Sequence, residues 1–450
     1  MGRRAGSFRI DELNWVPWAS VGTYRHPGTV LTDHTFAVPL DHSRPDGERI
    51  EVFAREIVAA GKADRAERLP WLVFLQGGPG HPAHRPVGRE TWLDRALDDY
   101  RVLLLDQRGT GRSSRITARS LAGLGSARAQ ADYLALFRAD AIVADAELIR
   151  RELTGGEPWS VLGQSFGGFC TVTYLSFAPH GMREALITGG LPGMDSHADD
   201  VYRLTYPLVA ARNAAHYERY PDDVERAREI ARYLAAHDVR VPGGARLTVP
   251  AFQSIGQMLG MAPGSHELHY LLENPWDGDG GLSDAFLHQI APRISFHGAP
   301  LYAVLHESCY AQGAATAWAA ERVRAEFPAF DAAAALDGDA PLLFTGEMIY
   351  PWMVEGDPVL WPLREAADLL AARDGWPPLY DPARLAASEV PAAAALYHDD
   401  MYVPAALSLP TAQRIRGLRA WVTNEYEHDG LRAGGRRVLD RPIAMNRGEV

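Results

Sequence analysis

The chain of 450 residues is longer than one hydrophobic core usually holds, so a main domain with a substantial insertion is expected. Its 45 basic and 57 acidic side chains give a formal net charge of −12 without any block of like charge, which argues against nucleic acid and anionic membranes as partners. Two cysteines cannot form a disulfide framework, and they favour a reducing compartment.

The N-terminal sequence predicts neither export nor lipidation. Residues 1–6 lack the apolar run of a signal peptide, and Gly6 stands where a myristoylation signal needs Ser or Thr. No segment of the sequence is long and apolar enough to span a bilayer. We therefore expect a soluble, cytoplasmic protein.

The first part of the chain alternates predicted strands with predicted helices. Residues 35–40 and 50–57 alternate apolar and polar side chains around a turn-forming segment, which predicts an antiparallel pair. Residues 140–153 repeat apolar side chains at helical spacing. Short continuous apolar runs are typical of parallel strands covered on both faces, and the alternation with helices predicts an α/β fold with a mostly parallel central sheet. Such runs occupy residues 71–75, 102–105, 159–162 and 185–188.

The character of the sequence changes near residue 194. Long, charged, amphipathic stretches follow, including one that starts near Asp222 and carries Ala227, Ala231 and Leu234 on one stripe. Strand-like runs return at residues 392–397 and 418–423. We predict a core in two parts, residues 1–193 and 388–450, with a mainly helical cap inserted at residues 194–387.

A pentapeptide, Gly-Gln-Ser-Phe-Gly at residues 163–167, lies between a predicted strand and a predicted helix. This context is what a nucleophile elbow needs, because a strand must deliver the serine to a sharp turn and a helix must leave beneath it. A glycine-rich turn of this kind can also be purely structural. The flanking elements favour the catalytic interpretation, with Ser165 as the nucleophile.

An activated serine needs a base and an acid that orients the base. In this fold both follow the serine, each after a late strand, with the acid first. His428 follows the last predicted strand and is the candidate base. Two acids compete: Asp400 follows the strand at 392–397, and Glu347 follows a strand-like run at 341–346. Asp400 is favoured because one crossover segment separates it from the strand that carries His428.

The oxyanion of the reaction needs backbone N–H donors. Residues 77–80, Gly-Gly-Pro-Gly, follow an early strand, and their glycines allow close approach of the backbone to a ligand. A tight turn without a ligand is the alternative. Together with the elbow, the pattern predicts the amides of Gly78 and Phe166 as donors. No cluster of His, Cys or carboxylates has metal-ligand spacing, so neither a metal nor an organic cofactor is expected.

The set of motifs resembles the proline iminopeptidases, or prolyl aminopeptidases, of the α/β-hydrolase fold. The residues that carry the likeness are Gly-Gly-Pro-Gly at 77–80, the run Asp-Gln-Arg-Gly-Thr-Gly-Arg-Ser at 106–113, the elbow, Asp400 with Met401, and His428. They occur in the family's order, and the chain looks like the longer form with an enlarged cap. For the 106–113 run we favour a supporting turn over catalysis.

The resemblance implies removal of an N-terminal proline from small peptides, with the free imino group held by carboxylates of the cap. Glu307 and Glu347 match those carboxylates, although each is also compatible with a structural role, and His306 stands where shorter relatives tend to have tryptophan. A cation entering an apolar pocket needs an anionic partner. The alternatives are an esterase or an aminopeptidase of other preference, and a catalytically silent binding protein on a hydrolase scaffold.

Overall fold

A twisted sheet runs through the whole core of the computed structural model, which describes residues 18–278 and 280–450. The N-terminal residues used to predict the absence of targeting lie outside the described part. Nine strands of the described chain pair in the order β1-β2-β3-β5-β4-β6-β7-β8-β9. They are β1 Trp18–His26, β2 Thr29–Pro39, β3 Arg49–Ala59, β4 Trp71–Leu75, β5 Arg101–Asp106, β6 Trp159–Gln164, β7 Met182–Thr188, β8 Ala392–Tyr397 and β9 Leu418–Thr423.

The sheet has an antiparallel and a parallel part. Strands β1, β2 and β3 form an antiparallel meander, and β3 joins β5 in antiparallel fashion. From β5 through β4, β6, β7 and β8 to β9 all pairs are parallel. All residues of β4 and β8 are buried, which is why these strands read as unbroken apolar runs. The predicted α/β-hydrolase fold with a mostly parallel sheet is confirmed.

Helices cover both faces of this sheet. The described helices before β7 are α1 Thr91–Asp99, α2 Ala118–Leu121, α3 Ala127–Leu134, α4 Ala139–Thr154 and α5 Phe166–Phe177, with 3₁₀ turns at Ala60–Arg68, Ala122–Leu124 and Ala135–Phe137. Side chains of α4 and α5 pack on one face of the sheet, with Ile142 and Leu175 in a common core with Val161. On the other face, Trp92 of α1 shares a second core with Leu162 of β6.

The regular elements described between β7 and β8 are helices, joined by irregular loops and accompanied by two isolated β-bridges, Arg240 with Arg246 and Trp276 with Leu282. The position of this segment agrees with an inserted cap, whose exact limits stay a prediction. The α-helices are α6 Ala198–Arg219, α7 Asp223–Ala236, α8 Val249–Gln253, α9 Gly264–Glu273, α10 Asp284–Ile294, α11 Pro300–Leu305, α12 Ala319–Arg324, α13 Ala333–Asp337, α14 Pro351–Gly356, α15 Arg364–Ala371 and α16 Pro382–Ala386. The 3₁₀ turns after α5 are Pro179–Gly181, Ser254–Gly260, Glu307–Cys309, Pro328–Phe330 and Trp361–Leu363.

The last helices return to the sheet. They are α17 Ala405–Arg414, α18 Gly430–Gly434 and α19 Arg436–Arg447. Val438 and Ile443 of α19 join the second core beside α1. Arg95 of α1 also pairs with Asp440 of α19, so the chain's C-terminal helix is fastened to the face opposite the elbow helix.

One strand-like run forms no strand. Residues 341–346 form neither a helix nor a strand. Two of their backbone groups bond to the neighbouring helical segment: Phe344 N–H donates to the Asn213 side chain, and Thr345 N–H donates to the carbonyl of Gln253. A short apolar run cannot distinguish a strand from another buried segment, so the pattern alone was misleading here. Glu347 consequently follows a cap segment and not a sheet strand.

Candidate active site

Ser165 sits on a sharp turn between β6 and α5. Its backbone has φ 55° and ψ −124°, a conformation that costs free energy for a residue other than glycine and that lets the side chain project from the end of β6. The flanking glycines make this turn possible. A Cβ on Gly163 would lie 2.3 Å from the carbonyl oxygen of Gly167, and one on Gly167 would lie 1.9 Å from the carbonyl oxygen of Leu75.

The structure brings Ser165, His428 and Asp400 into one hydrogen-bonded row. The Oγ of Ser165 is 2.8 Å from Nε2 of His428, and Nδ1 of His428 is 2.7 Å from Oδ2 of Asp400. All three side chains are buried. Each follows a different parallel strand (β6, β8 and β9), so the register of neighbouring strands holds the three groups together.

Asp400 is fixed by its own backbone neighbours. Its second oxygen, Oδ1, accepts hydrogen bonds from the N–H groups of Tyr402 and Val403 at 2.8 and 3.1 Å. Asp399, in contrast, is exposed and pairs with His398. Of the two acids that the sequence left open, Asp400 is the one that contacts His428.

The charge state of His428 depends on this contact. Burial lowers the pKa of His428, but the Asp400 carboxylate opposes burial through its charge and its hydrogen bond, so the pKa lies above the ordinary value. A positive charge on the ring is therefore stabilised where a proton from Ser165 would arrive.

The Gly-Gly-Pro-Gly loop lies directly beside the serine. A Cβ on Gly77 would be 2.9 Å from the Cβ of Ser165, and the loop carbonyl of Gln76 accepts from Nε2 of Gln107 at 3.0 Å. Gly78 adopts φ 136°, a region that other residues rarely enter. Phe166 is the first residue of α5, so its N–H has no acceptor within the helix. The oxyanion role of these two amides remains a prediction.

The 106–113 run supports this loop through hydrogen bonds. Buried Asp106 accepts from the backbone N–H of Ala83 at 3.1 Å and of Arg112 at 2.9 Å, and it pairs with Arg85. Arg108 makes a buried ion pair with Asp145 of α4. These contacts tie the run to residues 83–85 and to α4, and Gln107 donates to the carbonyl of Gln76, which directly precedes the Gly-Gly-Pro-Gly loop.

Glu347 is linked to His428 through a chain of contacts that involves Tyr302, Gln257 and Tyr402. Its Oε1 accepts from the Tyr302 hydroxyl at 2.7 Å, and that hydroxyl accepts from Nε2 of Gln257 at 2.7 Å. The Gln257 carbonyl in turn accepts from the Tyr402 hydroxyl, whose ring centroid is 4.6 Å from that of His428. No sequence motif includes Gln257 or Tyr302, so neither could be identified before the structure.

Glu307 is held differently. Its Oε1 accepts from the N–H of Ala320 at 2.8 Å and its Oε2 from the N–H of Ala319 at 2.9 Å, which are the first two amides of α12. Burial raises the pKa of Glu307 to about 7, although these hydrogen bonds act in the opposite direction. The structure thus gives Glu307 the capping contacts of a structural carboxylate, and its contact with a substrate stays a prediction.

The described residues contain neither a metal-binding cluster nor a membrane-spanning helix. No group of three or more His, Cys, Asp or Glu side chains there could hold a metal ion. No helix in that part of the chain combines the length and apolarity needed to cross a membrane. Cys170 and Cys309 are buried free thiols.

Comparison with known proteins places the chain among hydrolases. A family model described as the α/β hydrolase fold matches residues 70–299. A proline iminopeptidase of Aeromonas sobria is 51% identical over 415 residues, which cover 92% of this chain and 96% of that protein. A proline iminopeptidase of Aspergillus aculeatus is 36% identical over 455 residues, which cover 98% of this chain and 99% of that protein. A solved hydrolase of Pseudomonas aeruginosa aligns with a TM-score of 0.37 and 14% identity over 89% of this chain and 95% of that one.

Proposed function

Because the chain belongs to the proline iminopeptidase family of the α/β-hydrolase fold, we propose that it is a serine aminopeptidase that releases N-terminal proline from small peptides. The observation that carries the proposal is the row of contacts from Ser165 through His428 to Asp400, with Glu347 linked to the same histidine from the cap side. A nucleophile, a base, an acid and an anion for the substrate's amino end are thereby close together.

The reaction begins when Ser165 Oγ attacks the carbonyl carbon of the N-terminal proline and gives its proton to Nε2 of His428. The negative charge that develops on the carbonyl oxygen is stabilised by the N–H groups of Gly78 and Phe166. Asp400 holds His428 in the required tautomer and stabilises its positive charge. The imidazolium then protonates the leaving amine, the C–N bond breaks, and a prolyl ester of Ser165 remains.

Water completes the cycle. His428 removes a proton from a water molecule, the resulting hydroxide attacks the ester, and the proton returns to Ser165 as free proline is released. Every proton is transferred by His428 in both half-reactions. The chemistry uses side chains, backbone amides and water, so the proposal includes neither a metal nor an organic cofactor.

Recognition of the substrate's free imino group would restrict cleavage to the N-terminal residue of a peptide. The imino group of an N-terminal proline carries a positive charge at neutral pH, and desolvation would oppose its entry unless an anion met it. We assign this role to Glu347, whose charge acts on His428, on Tyr402 and on His81 beside the oxyanion loop. Glu307 was predicted as a second anchor, but its bonds to α12 support a role in shaping the pocket wall.

A cytoplasmic location belongs to the same proposal, since it is where two reduced, buried thiols are expected. The proposed substrates are peptides with a free N-terminal proline, because a peptide whose proline is blocked or internal has no positively charged imino group to pair with Glu347.

The test compares the release of a chromogenic amine from a panel of aminoacyl arylamides with the hydrolysis of simple esters. We expect the highest kcat/KM for prolyl arylamide and almost none for the N-acetylated prolyl compound. Preferred cleavage of simple esters would support the esterase alternative. Failure of a fluorophosphonate probe to label Ser165 would support a silent binding protein.

A further inference from the structure

Beside Glu347 lies a buried histidine that the reaction above does not use. His306 is 1% exposed, and neither of its ring nitrogens has a hydrogen-bond partner among residues 18–278 and 280–450. Buried polar atoms in native proteins are nearly always hydrogen-bonded, because leaving one unpaired is costly. Two such atoms on one ring therefore point to a partner that is bound from outside the chain.

The position of His306 shows where that partner would lie. Helix α11 packs directly on the oxyanion loop, since a Cβ on Gly80 would lie 2.6 Å from Leu301 Cβ and 2.7 Å from the backbone N of Tyr302. His306 follows α11 one helical turn after Tyr302, and the two ring centroids are 5.1 Å apart. The Tyr302 hydroxyl also donates to Glu347. His306 and Glu347, the proposed cation anchor, are therefore both neighbours of Tyr302, and we call this side of the site the Tyr302 wall.

The charge of the ring suits a cationic ligand. Burial lowers the pKa of His306 by more than the nearby Glu347 charge raises it, so the ring is neutral at pH 7. The pKa of His81, which faces Tyr302 from the oxyanion loop, is lowered for the same reason. The groups around this point are thus one carboxylate and two neutral imidazoles, which together balance one positive charge.

A neutral imidazole also offers one nitrogen that accepts a hydrogen bond. The protonated imino group of an N-terminal proline carries two N–H bonds, and one carboxylate oxygen accepts only one of them along the direct line. A second acceptor is needed if the desolvated cation is to keep both hydrogen bonds. His306 is the buried side chain on the Tyr302 wall whose nitrogens are both uncommitted in the described structure.

We propose that His306 binds the substrate, accepting the second N–H of the protonated imino group while Glu347 accepts the first. This assignment rests on the proposed function and adds a specificity residue to it. The enzyme would then discriminate substrates by the number of N–H donors on the cationic nitrogen. N-terminal proline has two such donors, whereas N-terminal N-methylproline has one and carries the same charge.

The test is a comparison of prolyl and N-methylprolyl arylamides with wild type, His306→Leu and His306→Gln. We expect His306→Leu to lower kcat/KM for the prolyl compound by about tenfold, as for one hydrogen bond to a charged group. The N-methylprolyl value should change by less than about twofold, so that the wild-type preference for proline collapses. His306→Gln keeps an acceptor and should recover part of the preference. Equal losses on both substrates would overturn the proposal.

Two controls keep this result interpretable. Hydrolysis of a small ester without an amino group and the melting temperature report on the triad and the fold, and a matching loss in either would assign His306 a structural role. If the His306 variants fail to fold, the dissociation constants of L-proline and N-methyl-L-proline are measured on Ser165→Ala; a ratio near one would overturn the proposal. Wild type that cleaves the ester but not prolyl arylamide would instead reject the proposed function itself.

Discussion

The carboxyl end of the sheet and the helical segment above it build their halves of the site in different ways. Ser165, Asp400 and His428 each follow a parallel strand, so strand register sets their spacing. Gln257 lies in a 3₁₀ turn, and Glu347 lies at a bend in a segment outside the sheet. The proposed reacting groups are thus placed by the sheet, and the proposed recognition groups are placed by packing between distant parts of the chain.

This difference separates catalysis from specificity. Loss of a group at the sheet should impair every substrate, because ester and amide cleavage use the same triad and oxyanion amides. Loss of a group in the helical segment should impair only substrates that carry the amino cation. Substrate-dependent kinetics therefore distinguishes the two regions.

The largest effect is expected for Ser165→Ala. Loss of the nucleophile removes the covalent route while the core remains packed, so kcat should fall by several orders of magnitude, up to about 10⁶-fold, on prolyl arylamide and on a simple ester alike. The melting temperature should stay close to that of wild type. Turnover within tenfold of wild type would show that another group attacks the carbonyl.

Asp400→Asn comes next. An amide at this position cannot stabilise the imidazolium and favours the wrong tautomer of His428, so kcat should fall by roughly 10⁴-fold on both substrate types. Glu347→Gln is the matched comparison, because it removes a carboxylate that does not contact His428. Steady-state kinetics in which Glu347→Gln caused the general loss and Asp400→Asn the selective one would exchange the two roles.

Glu347→Gln should instead lower kcat/KM for prolyl arylamide by about ten- to a hundredfold, the value of one charge-assisted hydrogen bond. The ester should be affected much less, since its reaction does not use the anchor. Wild type should cleave N-acetylprolyl arylamide hardly at all, because the acetyl group removes the cation. Equal losses on amide and ester would assign Glu347 to the structure of the pocket.

The sequence was informative where chemistry is local. The elbow, its strand and its helix are contiguous, and Asp400 and His428 follow recognisable strands. The α/β fold and the contact of Ser165 with His428 and Asp400 could therefore be predicted, while the catalytic roles of the three residues stay a prediction. The contacts of the inserted segment could not be predicted because they join residues far apart in the sequence. The Tyr402 hydroxyl, for example, donates to a carbonyl 145 positions earlier in the chain. Strand β1 was not predicted either, since most of its side chains are exposed and its pairing with β2 is its main support.

Glu307 and Glu347 show the limit of reading residue types. Both stand in uncharged, aromatic stretches, and the same pattern predicted the same role for both. In the structure Glu307 accepts hydrogen bonds from two amides of α12, whereas Glu347 accepts one from the Tyr302 hydroxyl. Only the partners distinguish the two carboxylates.

Glu307→Gln should have the smallest effect on activity and a distinct effect on stability. Burial raises the pKa of Glu307 to about 7, whereas an unfolded glutamate titrates near 4.3. The native state therefore holds a proton that the unfolded state has lost between about pH 4.3 and 7. This group's contribution to the free energy of unfolding is full below that range and falls as pH rises through it, by about 4 kcal/mol in all. Glutamine does not titrate, and the variant should gain stability relative to wild type from pH 5 to pH 8 in urea unfolding. A stability difference between the variant and wild type that stayed constant over that range would contradict the raised pKa of Glu307. If Glu307→Gln lowered prolyl arylamide cleavage as much as Glu347→Gln does and left the ester unaffected, Glu307 would instead be assigned to direct substrate binding.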